Sequence, residues 1–344
     1  MRSFYCQCGG TLFFGSVQCV ACSRPTAMCP HCNAVRSMAV ADDGSLVCDH
    51  CHRECRMCSN ATQHAVCNRG VDAASEQPLC RYCRLNSVVP DLTVGDNLLK
   101  WQRLETAKHR VLFDIERIGL PIVSETENET ESGSSDGRPV LQFEFKSSAV
   151  KPVSTGHADG LITIDIAEAD SVHREQTRVE FGEPQRTLVG HFRHELGHYY
   201  WQLLVEPNCL EAFRSLFGDE REPSYAEAQK RYYADGAIPD WQARFISAYS
   251  TMHPWEDFAE TFAGYMDIVA VVETARHFDR TRVTADGTDF NQMLTAYRDI
   301  GIVANEFNRD MGLLDLVPEI HSEAVVEKLK FIDNLRLALQ KEPV

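Results

Sequence analysis

A chain of 344 residues, 44% hydrophobic and 24% charged, is long enough for two or three soluble domains with a sizeable core. No run approaches the ~20 uninterrupted apolar residues of a membrane span, and a formal net charge of −16 argues against a general electrostatic hold on nucleic acid. The acidity lies beyond Pro90, because the residues before it carry eight Arg against six Asp and Glu. The opening Met-Arg-Ser-Phe-Tyr-Cys lacks the apolar core of a signal peptide and enters a cysteine motif at once, so a cytoplasmic location is expected.

Thirteen of the fourteen cysteines fall between Cys6 and Cys83, leaving only Cys209 outside. In a reducing compartment this density reads as metal ligation, and the Cys-x-x-Cys and Cys-x-Cys spacings are those of zinc knuckles. Three four-cysteine sites are expected. The first joins Cys6 and Cys8 to Cys19 and Cys22, with Leu12-Phe13-Phe14 as a short strand between the pairs. The second joins Cys29 and Cys32 to Cys48 and Cys51, and the third joins Cys58 and Cys67 to Cys80 and Cys83. Cys55 is left over, and could compete with Cys58, His50 or His52 for a ligand place. So few large apolar side chains cannot hold a fold by burial alone, so zinc must supply folding free energy, on the order of 10 kcal/mol per site. Iron–sulfur ligation is the lesser alternative, since the spacings do not follow ferredoxin patterns. Such ribbons serve either as a docking surface for a protein partner or as staples for the rest of the chain.

A helix from about Asp96 to Ile118 follows, with Leu98, Leu99, Trp101, Leu104, Ala107, Val111, Leu112, Ile115 and Ile118 at helical spacing and Gly119 placed to end it. Ser124 to Gly137, rich in Glu, Ser, Thr and Asn, reads as an acidic linker. Leu141 to Lys146 and Leu161 to Ile166 alternate as strands. The stretch Ile164 to Asp170 is a candidate edge for holding an extended peptide, or an ordinary strand ending in solvent-facing acids.

The run His194-Glu195-Leu196-Gly197-His198 comes next. Residues four apart share a helix face, so both imidazoles can reach one zinc ion while Glu195 handles a water proton as general base. His191, one turn earlier, reads as a supporting or packed histidine. A catalytic zinc needs a third protein ligand and an open position. Downstream, His253-Pro254-Trp255-Glu256-Asp257-Phe258-Ala259-Glu260 places Pro near a helix start, with Glu256, Asp257 and Glu260 as candidate ligands and His253 a further one. Phe213 to Arg221 reads as a compact turn and Tyr225 to Ala234 as a short helix. Tyr249, His253 and Tyr265 are candidate donors to a developing oxyanion. Two helices, roughly Asp289 to Met311 and Ser322 to Gln340, complete the chain.

The 253–265 segment resembles the second metal-ligand helix of gluzincin metallopeptidases, and that resemblance implies Glu256 as third ligand and Glu260 as support for a histidine ligand. More broadly, the chain resembles the bacterial putative zinc-binding metallopeptidase family with an N-terminal zinc-ribbon region. The marks are Cys-Gln-Cys-Gly at 6 to 9, Cys80-Arg-Tyr-Cys-Arg-Leu-Asn86 followed by Pro90-Asp-Leu, Arg193 to Trp201, Leu216 to Arg221, and His253 to Glu260. The central cysteine pairs look like an addition to that family's two outer ribbons. The resemblance implies an α+β architecture, zinc ribbons followed by a mainly helical zincin-like core with a small sheet. The segments expected are 1–90 (ribbons), 91–137 (helix and linker), 138–280 (peptidase core) and 281–344 (covering helices). One catalytic and about three structural Zn²⁺ are expected, with a protein or peptide as substrate. The rival readings are a ribbon-based binding protein with a structural zinc at His194 and His198, and a protease acting on nucleic-acid-associated proteins.

Overall fold

The computed structural model describes residues 2–42, 44–125, 137–148, 152–153, 155–181, 186–285 and 289–341. Most of the segment read as an acidic linker, 126–136, lies outside the described residues. The architecture is α+β, and the chain divides into two compact units. The first comprises Met1–Leu112, Gln142–Ser154 and Thr163–Ser171, and the second Phe113–Leu141, Thr155–Ile162 and Val172–Val344.

The first unit begins with short strands whose turns carry the cysteines. β1 (Phe4–Tyr5) and β2 (Thr11–Leu12) form an antiparallel pair. The strand expected over Leu12 to Phe14 stops at Leu12, because Phe13 and Ser16 close a turn, Ser16 N–H on the Phe13 carbonyl and Phe13 N–H on Ser16 Oγ. An antiparallel sheet of order β3-β4-β5-β6-β7 follows: β3 (Thr26–Cys29), β4 (Ala34–Val40), β5 (Leu46–Cys48), β6 (Glu54–Met57) and β7 (Gly70–Asp72). Helix α1 (Ser59–His64) lies between the last two strands in sequence. Its small apolar cluster is Ala27, Cys29, Met38, Cys48 and Cys55, too little to fold a sheet of this size without other support.

Strand β8 (Asn86–Val88) precedes α2 (Asn97–Arg117), the helix expected over 96–118. Its inward stripe includes Trp101, Leu104, Val111, Leu112 and Ile115, whereas Leu99 is 47% exposed, so the apolar face is narrower than the sequence pattern. β9 (Gln142–Lys146), β10 (Gly156–Ala158) and β11 (Leu161–Asp165) complete a four-stranded sheet of order β10-β11-β9-β8, and the boundary between the units passes through β11. The stretch from Ile164 to Asp170 is not an edge. β11 is flanked by β10 and β9, and it ends because the Asp165 carboxylate accepts from Ala167 N–H and turns Ile166–Ala169 into a 3₁₀ helix.

The second unit is mostly helical: α3 (Ser171–Phe181), α4 (Leu188–Tyr200), α5 (Leu210–Phe217), α6 (Tyr225–Asp235), α7 (Pro254–His277), α8 (Phe290–Asp310) and α9 (Glu323–Lys341). α4 runs on into a π-helical turn, Trp201–Val205. The compact turn expected over 213–221 is in its first half the end of α5, which stops where Gly218 takes φ 105°. α7 forms the centre. It packs on α4 on one side and meets α8 and α9 on others, with Trp201, Phe213, Phe217 and Phe258 as an aromatic cluster whose centroids lie 5.1–6.1 Å apart. α4 and α7 touch backbone to backbone. A Cβ on Gly197 would stand 2.7 Å from Ala259 Cα, so only glycine allows this approach.

Candidate metal centre

In the first unit the cysteines gather in the three sets of four set out above, with the ligand atoms of each set within 4.8 Å of one another. Measured Sγ–Sγ separations are 3.6 Å (Cys6–Cys22), 3.7 Å (Cys8–Cys19), 3.7 Å (Cys29–Cys51), 3.8 Å (Cys32–Cys48) and 3.9 Å (Cys67–Cys80). A tetrahedron with Zn–S bonds of about 2.3 Å has edges of about 3.8 Å, while a disulfide would need about 2.05 Å. The donor sets therefore fit zinc and are not disulfides. Cys55 belongs to none of them: it sits inside β6, fully buried, its thiol pushed up to about 12 first by burial and then by the thiols of Cys29, Cys48 and Cys51.

In the second unit the site is made by two helix starts. Thr187 caps α4, its side chain accepting from Gly190 N–H at 2.9 Å, and the first turns of the helix then bring His191, His194, Glu195 and His198 into register. His253 caps α7 and Pro254 opens it, which fixes where Glu256, Asp257 and Glu260 point. Of these acids only Glu256 joins both imidazoles. His194 Nε2 lies 3.0 Å from Glu256 Oε2, His198 Nε2 lies 3.5 Å from Glu256 Oε1, and the two Nε2 atoms are 3.2 Å apart. Bonds of 2.0–2.1 Å in a tetrahedral site place ligands about 3.3 Å apart, so two nitrogens and an oxygen at these separations fit one zinc ion. His194 Nδ1 donates to Glu260 Oε1 at 2.6 Å, which leaves Nε2 free to ligate. Tyr225 donates to Glu256 Oε1 at 2.8 Å.

The electrostatics ask for a cation. Burial favours neutral His194, yet Glu256 and Glu260 outweigh it and push the imidazole well above its usual range. Burial would raise Glu256, but His198 and His194 hold it well below the usual carboxylate range. Glu195 is 4% exposed, and burial would raise it too, but His191, His194 and His198 together lower it. His191 Nε2 lies 3.4 Å from Glu195 Oε1, while Glu195 Oε2 has no hydrogen-bond partner among the described residues. His157 on β10 stacks on His198 with centroids 6.4 Å apart, accepts from Gly160 N–H at 3.0 Å, and is lowered to about 4 by burial and by His198. Tyr249 lies 6.0 Å from the His194 ring, its hydroxyl raised by burial and by Glu256.

Three sequence expectations fail here on geometry. Tyr265 is fully buried, donating to Asp333 Oδ1 at 2.7 Å and accepting from Arg336 Nε at 2.8 Å, so it is a structural tie to α9 rather than an oxyanion donor. His253 uses Nδ1 to accept from Trp255 N–H at 3.2 Å and Nε2 to donate to the Glu220 carbonyl at 3.1 Å, so neither nitrogen is left for substrate or metal. The 216–221 segment holds that carbonyl in place through the Arg214–Glu220 fork at 2.5 and 3.0 Å. Asp257, raised to about 7 by burial against the pull of Lys328, pairs with that lysine at 2.5 Å, away from the histidines. The sequence reading missed Tyr225 and His157. A capping box at Ser224 and Glu227 marks the helix that carries Tyr225, but nothing local marks either side chain as part of the site.

Residues 97–335 match the family described as "Putative zinc-binding metallo-peptidase" and residues 3–94 match a "zinc-ribbon domain" family. Uncharacterized proteins of Mycobacterium bovis and Mycobacterium tuberculosis are 36% identical to the chain over 347 residues, covering 97% of it and 95% of each relative. No solved structure matches the chain. Among the described residues no helix is long and apolar enough to cross a membrane.

Proposed function

We propose a peptidase on this premise: the chain belongs to the putative zinc-binding metallo-peptidase family. The reading is a cytoplasmic zinc-dependent metallopeptidase that hydrolyses peptide bonds, with one catalytic ion at His194, His198 and Glu256 and three structural ions in the cysteine sets. The observation that carries it is the meeting of those three donors, within 4.8 Å of one another, beside the buried carboxylate of Glu195. His194, His198 and Glu256 would hold a zinc ion there, which would supply Lewis acidity to activate water and polarise a peptide carbonyl.

The chain's own groups do the rest. Glu195, kept ionised by the imidazoles around it, takes a proton from the attacking water and returns it to the leaving nitrogen. His191 orients one Glu195 oxygen and leaves the other for that proton. Glu260 and Tyr225 fix the two ligands they touch. Of the three candidates for oxyanion donor, we assign the role to Tyr249, whose ring lies 6.0 Å from that of His194. The ribbons expected over 1–90 brace the enzyme or dock a protein, and the core expected over 138–280 gives up 142–154 and 163–171 to the first unit.

Cleavage of a proteome-derived peptide library by zinc-loaded protein, with Glu195→Gln as paired control, tests this. Glu195→Gln is expected to keep its zinc and lose at least ~10²-fold to 10⁴-fold in turnover. Equal cleavage by both would sink the mechanism, and no cleavage by either with zinc bound would favour a binding protein.

A further inference from the structure

Apart from the catalytic group, the described residues hold one more cluster of buried ionisable side chains beside a metal set, on α2 next to the third cysteine site. Cys83 Sγ lies 3.6 Å from His109 Nε2, and that same nitrogen lies 3.1 Å from Glu105 Oε2. Cys83, Glu105 and Lys108 are fully buried and His109 is 3% exposed. The Tyr82 ring meets the imidazole edge-on, centroids 5.4 Å apart. Glu105 Oε1 in turn accepts from Lys108 Nζ at 2.9 Å, Asn86 Nδ2 at 2.8 Å and Trp101 Nε1 at 3.2 Å.

We propose that His109, beside Glu105, donates a hydrogen bond to the zinc-bound thiolate of Cys83, so that the third ribbon site is a brace built into helix α2 rather than a detachable docking module. A ligating thiolate and a carboxylate are both acceptors, so the nitrogen lying between them carries the proton. Lys108 Nζ, 2.9 Å from Glu105 Oε1, balances the charge of Glu105 and leaves the sulfur as the acceptor for the imidazole N–H. Cys83, Glu105 and His109 also form a three-donor group of their own. A second cation there would face the fixed ammonium of Lys108, 2.9 Å from Glu105 Oε1, so the group serves the sulfur rather than a further ion.

Residues of α2 up to Leu112 belong to the first unit and those from Phe113 to the second. In the second, Asp114 lies 3.8 Å from Arg193, the neighbour of His194, and Arg117 binds Glu273 at 2.7 Å. The inference concerns a structural ion and does not depend on peptidase activity.

The test uses the full zinc-loaded chain as wild type, His109→Phe and His109→Gln. Zinc release to a chromogenic chelator is followed in time, with mass-spectrometric mapping of which cysteines become alkylated. In His109→Phe the zinc of the third site is expected to leave about tenfold faster or more, with alkylation rising at Cys58, Cys67, Cys80 and Cys83 while the other two sets keep wild-type rates. His109→Gln, which retains an N–H donor, is expected to recover most of the loss. Equal release in wild type and His109→Phe, or no recovery with Gln, overturns the proposal. Should His109→Phe fail to fold, NMR of isotope-labelled histidine in the wild-type protein decides. A proton on His109 Nε2 supports the bond, and a bare Nε2 refutes it.

Discussion

Gly197→Ala is the most demanding test of the site's construction, because the structure fixes both its cost and its effect. The added Cβ would stand 2.7 Å from Ala259 Cα and 3.0 Å from the Ala259 carbonyl oxygen. Ordinary carbon contacts need about 3.5–4.0 Å, and the obstacle is backbone, so α4 and α7 must part by on the order of 1 Å. Such overpacking costs about 1–3 kcal/mol, against about 1 kcal/mol that Ala gains over Gly inside a helix. A net loss of up to about 2 kcal/mol lowers the thermal midpoint by up to roughly 4–8 °C for a unit of this size. The same parting pulls Glu256 from His194 and His198, and a displacement of that size can cost about 10²-fold in turnover. Gly190→Ala on the same helix is the control, since its Cβ would meet only Thr187 Oγ1 at 3.1 Å. Thermal unfolding and peptide hydrolysis of the zinc-loaded variants read both effects. If Gly197→Ala melts at or above Gly190→Ala and keeps its turnover, the close crossing does not position the donors.

Tyr225→Phe removes the donor to Glu256 Oε1 and is expected to weaken metal binding by about 10-fold to 100-fold with the fold intact; unchanged chelator competition would deny that tyrosine its positioning role. Tyr265→Phe breaks the bond to Asp333 and is expected to cost about 1–3 kcal/mol of stability at unchanged turnover, while a hundredfold fall in turnover without destabilisation would restore it to the reaction. Cys55→Ala is expected to leave the zinc content of the pure protein unaltered, because Cys55 lies outside all three donor sets; loss of one equivalent would mean the third set takes Cys55 and not Cys58.

The cysteine sets were legible because a knuckle is a local object: two thiolates on one tight turn offer two bonds to one ion whatever the rest of the chain does. What spacing left open was Cys55 against Cys58, three residues apart. Local structure settles it. Cys55 on β6 pairs with Asp72 on β7 and turns inward, whereas Cys58 stands at the head of α1, where its sulfur accepts from Cys80 N–H at 3.3 Å. Tyr225 and His157 were illegible for the opposite reason. They reach the site from 31 residues before Glu256 and 41 before His198, and no periodicity carries across such gaps.

α7 explains the rest of the misreading. An ordinary surface helix shows one apolar stripe, and the polar positions that interrupt it stand out. In α7 burial runs round most of the circumference, taking in Glu256, Asp257, Phe258, Ala259, Thr261, Phe262 and Tyr265 together. Composition therefore could not say which acid faced the histidines or whether an aromatic faced anything. Angular position could have said part of it. At 100° per residue Glu260 lies about 40° round from Glu256, and Tyr265, nine residues on, lies about 180° away. A side chain on the far face of the ligand helix cannot donate to an atom held by the near face, and the partners found for Tyr265, Asp333 and Arg336 of α9, are what such a position would meet. Asp257, about 100° round, likewise turns to Lys328 of the same helix. Rotation therefore sets aside Asp257 but not Glu260, which shares the face of Glu256, and it is contact with both imidazoles that singles out Glu256.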